Sequence, residues 1–86
     1  MGNQGILVES IQQWLSSRVA VYGDLSPESF DINTPFTELG FNSVYALTLC
    51  GDIEDDYGYD ADPSMIWDHK NIRELATALC NALRGQ

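Results

Sequence analysis

Three stretches of this chain repeat their apolar residues at three-to-four spacing, and no stretch alternates cleanly between apolar and polar. That pattern builds helices with one buried face and leaves little to form a sheet. Leu7, Val8, Ile11, Trp14, Leu15 and Val19 mark a first helix over about 6–21, with Gly23 as its stop. Ser43 opens a second over about 43–57, where Ala46, Leu49, Cys50, Ile53 and Tyr57 share one arc and Gly58 ends the run. On the same wheel Val44, Thr48, Gly51, Asp52, Asp55 and Asp56 face solvent. Asp62-Pro63-Ser64 signals a short third helix over about 63–68, as a capping residue followed by proline at the first helical position. A last helix over about 71–84 starts at Asn71, paired with Glu74 as a capping box, and carries Ile72, Leu75, Ala76, Leu79, Ala82 and Leu83.

Between the first two helices lies a segment, 22–42, rich in turn formers. Its length would be suspicious for a plain loop, but Phe30, Ile32, Phe36, Leu39 and Phe41 are spread through it. A loop with that many large apolar side chains is expected to be ordered against a core. The expected fold is therefore all-α, with three longer helices, one short one and a long ordered loop, in a single domain over 1–86.

Charge sets limits on what such a domain binds. Thirteen Asp and Glu stand against four Lys and Arg, a formal net charge of −9. Nucleic-acid contact is built from cations neutralising phosphates, and an anionic membrane surface would repel this chain. With 44% apolar residues the chain is too hydrophobic for a disordered acidic tail. No apolar run is long enough to span a bilayer, and the start of the chain lacks the organisation of a signal peptide. A monomer in the cytosol is expected, with Cys50 and Cys80 as reduced thiols filling the core.

Enzyme and metal readings fail on specific residues. A nucleophile elbow at Ser43 wants glycine two positions to either side, where Phe41 and Tyr45 stand. A zinc site fails because His69 is the single histidine and no Cys-x-x-Cys pair exists. A calcium loop starting at Asp52 wants Gly sixth and Glu twelfth but meets Tyr57 and Pro63. Neither His69 nor the cysteines receive a role, and Trp14 and Trp67 read as core or core-edge. What remains is Ser43 at a helix N-terminus, which taken alone reads as a plain N-cap.

Thr34-Pro35-Phe36-Thr37-Glu38-Leu39-Gly40-Phe41-Asn42-Ser43-Val44 resembles the signature of acyl carrier proteins, Glu-Leu-Gly-x-Asp-Ser-Leu/Val. Tyr57-Gly58, Asp62-Pro63-Ser64 and Ile66-Trp67-Asp68 resemble the third-helix region of polyketide-synthase carriers. The resemblance covers nearly the whole chain. It implies a four-helix bundle of acyl-carrier type and a 4′-phosphopantetheine group from coenzyme A joined to the Ser43 hydroxyl by a phosphodiester. Acyl intermediates would ride on that arm as thioesters, and the domain itself would supply no catalysis. The implied partners are a phosphopantetheinyl transferase, an acyltransferase, a ketosynthase and other polyketide enzymes with basic patches. Val44, Thr48, Gly51, Glu54, Asp55 and Ile66 would form the docking surface.

The sequence departs from the family at four places. Asn42 replaces the usual Asp, and Gly51 a larger docking side chain. Ala61 stands where leucine is common, which could open space beside the arm, and Lys70 replaces a proline. The alternatives are a peptidyl carrier of nonribosomal synthesis and a helical interaction module without a prosthetic group. Met1, the short tails and the absence of linkers lean towards a free-standing protein, with a domain excised from a megasynthase as the alternative.

Overall fold

In the computed structural model, which describes residues 7–85, four α-helices follow one another: α1 (Val8–Gly23), α2 (Ser43–Tyr57), α3 (Pro63–Trp67) and α4 (Ile72–Arg84). Single 3₁₀ turns at Pro27–Ser29 and Phe36–Glu38 lie in the long connection, and no strand forms among the described residues. The fold is the all-α bundle that the periodicity implies. The expected first residue of the first helix, Ile6, lies outside the described residues.

The apolar stripes meet in one core. Ile11, Leu15 and Val19 of α1 pack mainly on α4, which contributes Ile72, Leu75, Ala76, Leu79, Cys80 and Leu83. From α2 come Ala46, Leu49, Cys50 and Ile53. Both cysteines are buried and unbonded, as small core fillers.

Helix α1 ends differently from the sequence expectation. Gly23 is its last helical residue, and Asp24 takes the left-handed cap conformation at φ 54°. Glycine at 23 answers a steric demand instead. A Cβ there would stand 3.0 Å from Leu25 Cδ1 and 3.2 Å from the Leu39 carbonyl oxygen. The end of α1 and the long loop thus approach closely because no side chain intervenes.

That loop is fastened to the start of α4. The Phe36 amide donates to the Lys70 carbonyl at 2.8 Å, and the Arg73 amide to the Ile32 carbonyl at 3.0 Å. Arg73 Nε donates to Asn33 Oδ1 at 2.7 Å, and Pro35 and Asn71 form an isolated antiparallel bridge. Asn71 is buried and caps α4, its Oδ1 accepting from the Glu74 amide at 2.9 Å. The reciprocal half of the expected capping box is displaced by one residue: Glu74 Oε1 accepts from the Lys70 amide, not from that of Asn71. Phe36 and Leu39 enter the core beneath this junction.

Polar and aromatic groups form the seam between α1 and α2. Trp14 Nε1 donates to Asp56 Oδ2 at 2.7 Å, and its ring meets Tyr57 edge-on at 5.0 Å. Arg18 Nη1 lies 3.6 Å from Asp52 Oδ2, an ion pair without a hydrogen bond. Of the acids expected to face only solvent, Asp52 is therefore half-buried against α1, and Asp56 is tied to it.

Ile66 needs a larger correction. Expected on the docking surface, it is fully buried at 0% exposure, while its neighbour Trp67 is 50% exposed. A five-residue helix is too short for spacing to reveal its face, and the core accepts the aliphatic side chain instead of the larger indole.

Because the loop junction converges on two side chains, truncating either should be costly. Phe36→Ala is expected to lower unfolding free energy by about 3–5 kcal/mol. Asn71→Ala should lower it by about 1–2 kcal/mol. Urea unfolding followed by circular dichroism measures both, and a loss below ~0.5 kcal/mol at either position contradicts the junction's role.

Candidate functional site at the start of the second helix

The chain enters α2 through Leu39-Gly40-Phe41-Asn42. Gly40 has φ 73°, a left-handed conformation that other residues adopt only at a cost. The turn it makes brings Phe41 back onto Phe36, with ring centroids 4.8 Å apart, and leaves Phe41 edge-on to Tyr45 and Trp67 at 5.9 and 6.1 Å. These rings hold the entry to α2 against the loop junction.

Asn42, not Ser43, caps the helix. Its backbone is extended, its Oδ1 accepts from the Tyr45 amide at 3.0 Å, and its carbonyl accepts from the Ala46 amide at 3.0 Å. The plain-cap reading of Ser43 is thereby removed. Ser43 is the first helical residue, is exposed, and its hydroxyl makes no hydrogen bond with any described residue. Asn in place of the usual Asp loses a charge here but keeps the oxygen that does the capping.

The surroundings suit a phosphate. The Ser43 and Val44 amides lie in the first turn, where helical amides have no partner inside the helix, and the dipole's positive end lies there. No acid stands in that turn. The acidic run begins at Asp52, nine residues on, or roughly 13 Å along the axis. An anion joined to Ser43 therefore meets donors and little repulsion. On this chemistry the residues present fit a phosphopantetheine group.

Around the serine the surface is unusually apolar for so acidic a chain. Val44 is 68% exposed and Leu47 61%, one turn apart on α2, with Trp67 on the α3 side. Thr48 and Gly51 are exposed beyond them. Leu47 is absent from the residues picked from sequence, although its position outside the buried arc was the signal for it. Further along, Glu54 and Asp55 are exposed and their carboxylates bond to no described residue, while Asp52 and Asp56 serve α1. The acids near the C-terminal end of α2 oppose the helix dipole, and its last turn holds no base. For Glu54 and Asp55, whose carboxylates bond to no described residue, this placement costs helix stability with no contact to offset it.

Ala61 is buried in the core, and neither the groove along α1 nor the one on α4 is lined by it or by Ser43. His69 lines the α4 groove. Burial, and then the charges of Asp62 and Asp60, push the Cys50 thiol up and away from reactivity. Asp62 caps α3 by accepting from the Ser64 amide at 2.9 Å, and these hydrogen bonds to Ser64 hold its carboxyl below the usual carboxylate range.

Two outcomes follow from the caps. Asn42→Ala should destabilise by about 1 kcal/mol, whereas Asn42→Asp should match the natural chain or gain about 0.3–1 kcal/mol from the dipole. Chemical denaturation at neutral pH distinguishes them. Because the folded pKa of Asp62 is depressed, its contribution is present above the unfolded value and lost as pH falls through the folded one. Carbon-detected titration should therefore show Asp62 protonating below the ordinary carboxylate range, with the Ser64 amide resonance moving in step.

Comparisons with known proteins agree with this geometry. The family described as "Phosphopantetheine attachment site" matches residues 13–79. A nonribosomal peptide synthetase of Aspergillus terreus, apvA, is 40% identical over 58 residues, covering 64% of this chain and 6% of that protein. Erythronolide synthase EryA3 of Saccharopolyspora erythraea is 33% identical over 57 residues, covering 66% of this chain but 2% of its relative. The chain thus spans only a small fraction of the curated relatives it matches. Among solved structures, a free-standing peptidyl carrier protein of Acinetobacter baumannii superposes with a TM-score of 0.85 at 29% identity, covering 92% of this chain and 99% of that one. The acyl carrier protein LipD of Actinoplanes friuliensis gives 0.70 at 36% identity, covering 93% and 89%. With most of its length matched and its helices in the carrier arrangement, the chain belongs to the phosphopantetheine-attachment family of carrier proteins, whose cofactor is 4′-phosphopantetheine.

Proposed function

We propose that Ser43 is the attachment residue and that the chain is a non-catalytic cytoplasmic carrier of acyl intermediates for polyketide-type synthesis. The observation carrying this reading is the division of labour at the α2 entry. Asn42 does the capping, leaving an exposed serine hydroxyl with no hydrogen bond to any described residue, beside first-turn amides that have no partner inside the helix. In the loading step the Ser43 hydroxyl gives its proton to the transferase. Its oxygen would bond to the phosphorus that carries the pantetheine arm as the pyrophosphate bond of coenzyme A breaks and the adenosine bisphosphate leaves. Once attached, the group would supply a flexible arm ending in a thiol able to hold acyl groups as thioesters. The chain's own residues hold the serine outward, offer amides to the phosphate and present a docking face.

That face is read as an apolar patch, Val44 and Leu47, beside the exposed acids Glu54 and Asp55, with Thr48 and Gly51 between. Such a layout suits brief visits to basic enzyme surfaces, because charge steering raises association rates more than affinity. Gly51 adds support. A Cβ there would meet nothing within 4 Å, so the fold does not require glycine, and close approach by a partner explains it.

A second reading, peptidyl carriage, is favoured by the 40% identity to apvA and by the superposition on a peptidyl carrier. The Ile66-Trp67-Asp68 ending of α3 and the match to an erythronolide synthase support the polyketide reading. Loading assays with acyl and aminoacyl donors separate the two.

Incubation with coenzyme A and a broad-specificity transferase should add one phosphopantetheinyl group by intact mass, and Ser43→Ala should abolish the gain. Absence of a gain on the natural chain, or persistence in the variant, overturns the assignment. Neutralising Glu54 and Asp55 to Gln and Asn should slow partner reactions several-fold without loss of stability. Gly51→Ala should stabilise the free chain by about 1 kcal/mol while slowing the same reactions.

A further inference from the structure

A groove of about 500 Å³ runs along α1, on a side that the site at Ser43 does not use. One wall is helical, formed by Gln12, Gln13, Ser16 and Ala20. The other is the long loop, through Pro27, Phe30 and Ile32. At about 100° per residue, Gln12, Ser16 and Ala20 fall on the side of α1 opposite Trp14, Arg18 and Tyr22, which face α2. The groove and the α2 docking face therefore look in different directions.

The groove is preformed. Phe30 and Ile32 pack against the core, and the Ile32 carbonyl is held by the Arg73 amide. An Asx turn closes the loop beside it, the Asn33 amide donating to Asp31 Oδ1 at 2.8 Å. Its apolar floor of Ala20, Pro27, Phe30 and Ile32 is bordered by Gln12, Gln13 and Ser16, whose side chains bond to no described residue. Those amides and that hydroxyl are available to an incoming main chain.

Charge identifies the occupant. Glu9 and Asp31 line the groove, and no Lys or Arg does. Glu28 follows the lining residue Pro27 in the chain and accepts from the Ser26 hydroxyl, which holds its carboxyl below the usual range. We propose that this groove is a second docking site, taking a short partner-protein segment that presents apolar side chains to Phe30 and Ile32 and Lys or Arg to Glu9 and Asp31. From Glu9 to Ala20 the wall spans roughly 16 Å, room for about three helical turns of such a segment.

A partner held there leaves Ser43 open. One enzyme or linker can retain the carrier while a second site meets the arm, so the retained domain raises the local concentration of the other. This rests on the carrier reading for its purpose only. The binding itself is independent of the arm, so it is tested on the Ser43→Ala chain, and loading is read separately by mass.

The probe is a synthetic three-turn helical peptide with Leu on one face and Arg on the other, with a control in which Glu replaces Arg. Added to the ¹⁵N-labelled chain, the Arg peptide should shift the amides of Gln13, Ser16, Ala20 and Ile32. Ser16→Arg or Gln12→Arg, each first shown to be folded by circular dichroism, should weaken binding about tenfold, and Glu54→Lys less than about threefold. Two variants on one wall guard against misfolding of either. Shifts centred on Val44, Leu47 and Glu54, equal binding of the Glu peptide, indifference to both α1 variants, or no shift at all would overturn the proposal.

Discussion

The structure hangs on the junction between the long loop and the first turn of α4. A loop of this length has much conformational freedom to lose, and local turn chemistry alone does not hold it. Backbone bonds from Phe36 to Lys70 and from Arg73 to Ile32 fix its two edges, and the buried Asn71 caps the helix between them. The Phe36–Phe41 stack carries that fixation forward to the start of α2. Ser43 is thus positioned by contacts with a helix that starts almost thirty residues later. The loop functions as part of the scaffold, which is why it carries so many large apolar side chains.

The acidic character of the chain divides by use. Asp52 and Asp56 join α2 to α1 through Arg18 and Trp14, and Asp62 caps α3. The carboxylates of Glu54 and Asp55 bond to no described residue, at the end of α2 where the helix dipole disfavours them. Of these five acids Glu54 and Asp55 alone make no side-chain bond to a described residue, so not all of the acidic surface on α2 is available for steering partners. First-turn amides and distance from these acids make the serine end of the same helix hospitable to phosphate. One helix therefore separates its attachment end from its docking charges by its own length.

Much of the candidate site was legible because it depends on local rules. The Leu39-Gly40-Phe41-Asn42-Ser43 run states a turn, a cap and a helix start in adjacent residues, and the resemblance to carrier signatures rests on that same run. What misled the reading was the assignment of faces where periodicity is weak. Ile66 belongs to a single helical turn, whose phase the chain cannot express, and it went to the core while Trp67 stayed at the edge. Gly23 looked like a helix stop but marks a close approach to Leu39, a contact made across sixteen residues.

By itself the sequence determined which segments are helical, where they are capped and which stripes are apolar, because these follow from spacing and side-chain chemistry within a few residues. It also determined the serine motif and the scarcity of cations. Only the tertiary structure decided that Asn42 takes the cap and leaves the Ser43 hydroxyl without a hydrogen bond to any described residue. It decided too that two of the four acids on α2 are engaged, that Leu47 is exposed, and that a groove opens behind α1. These outcomes depend on which distant side chain arrives opposite each residue, and spacing along one element carries no information about its neighbour across the core.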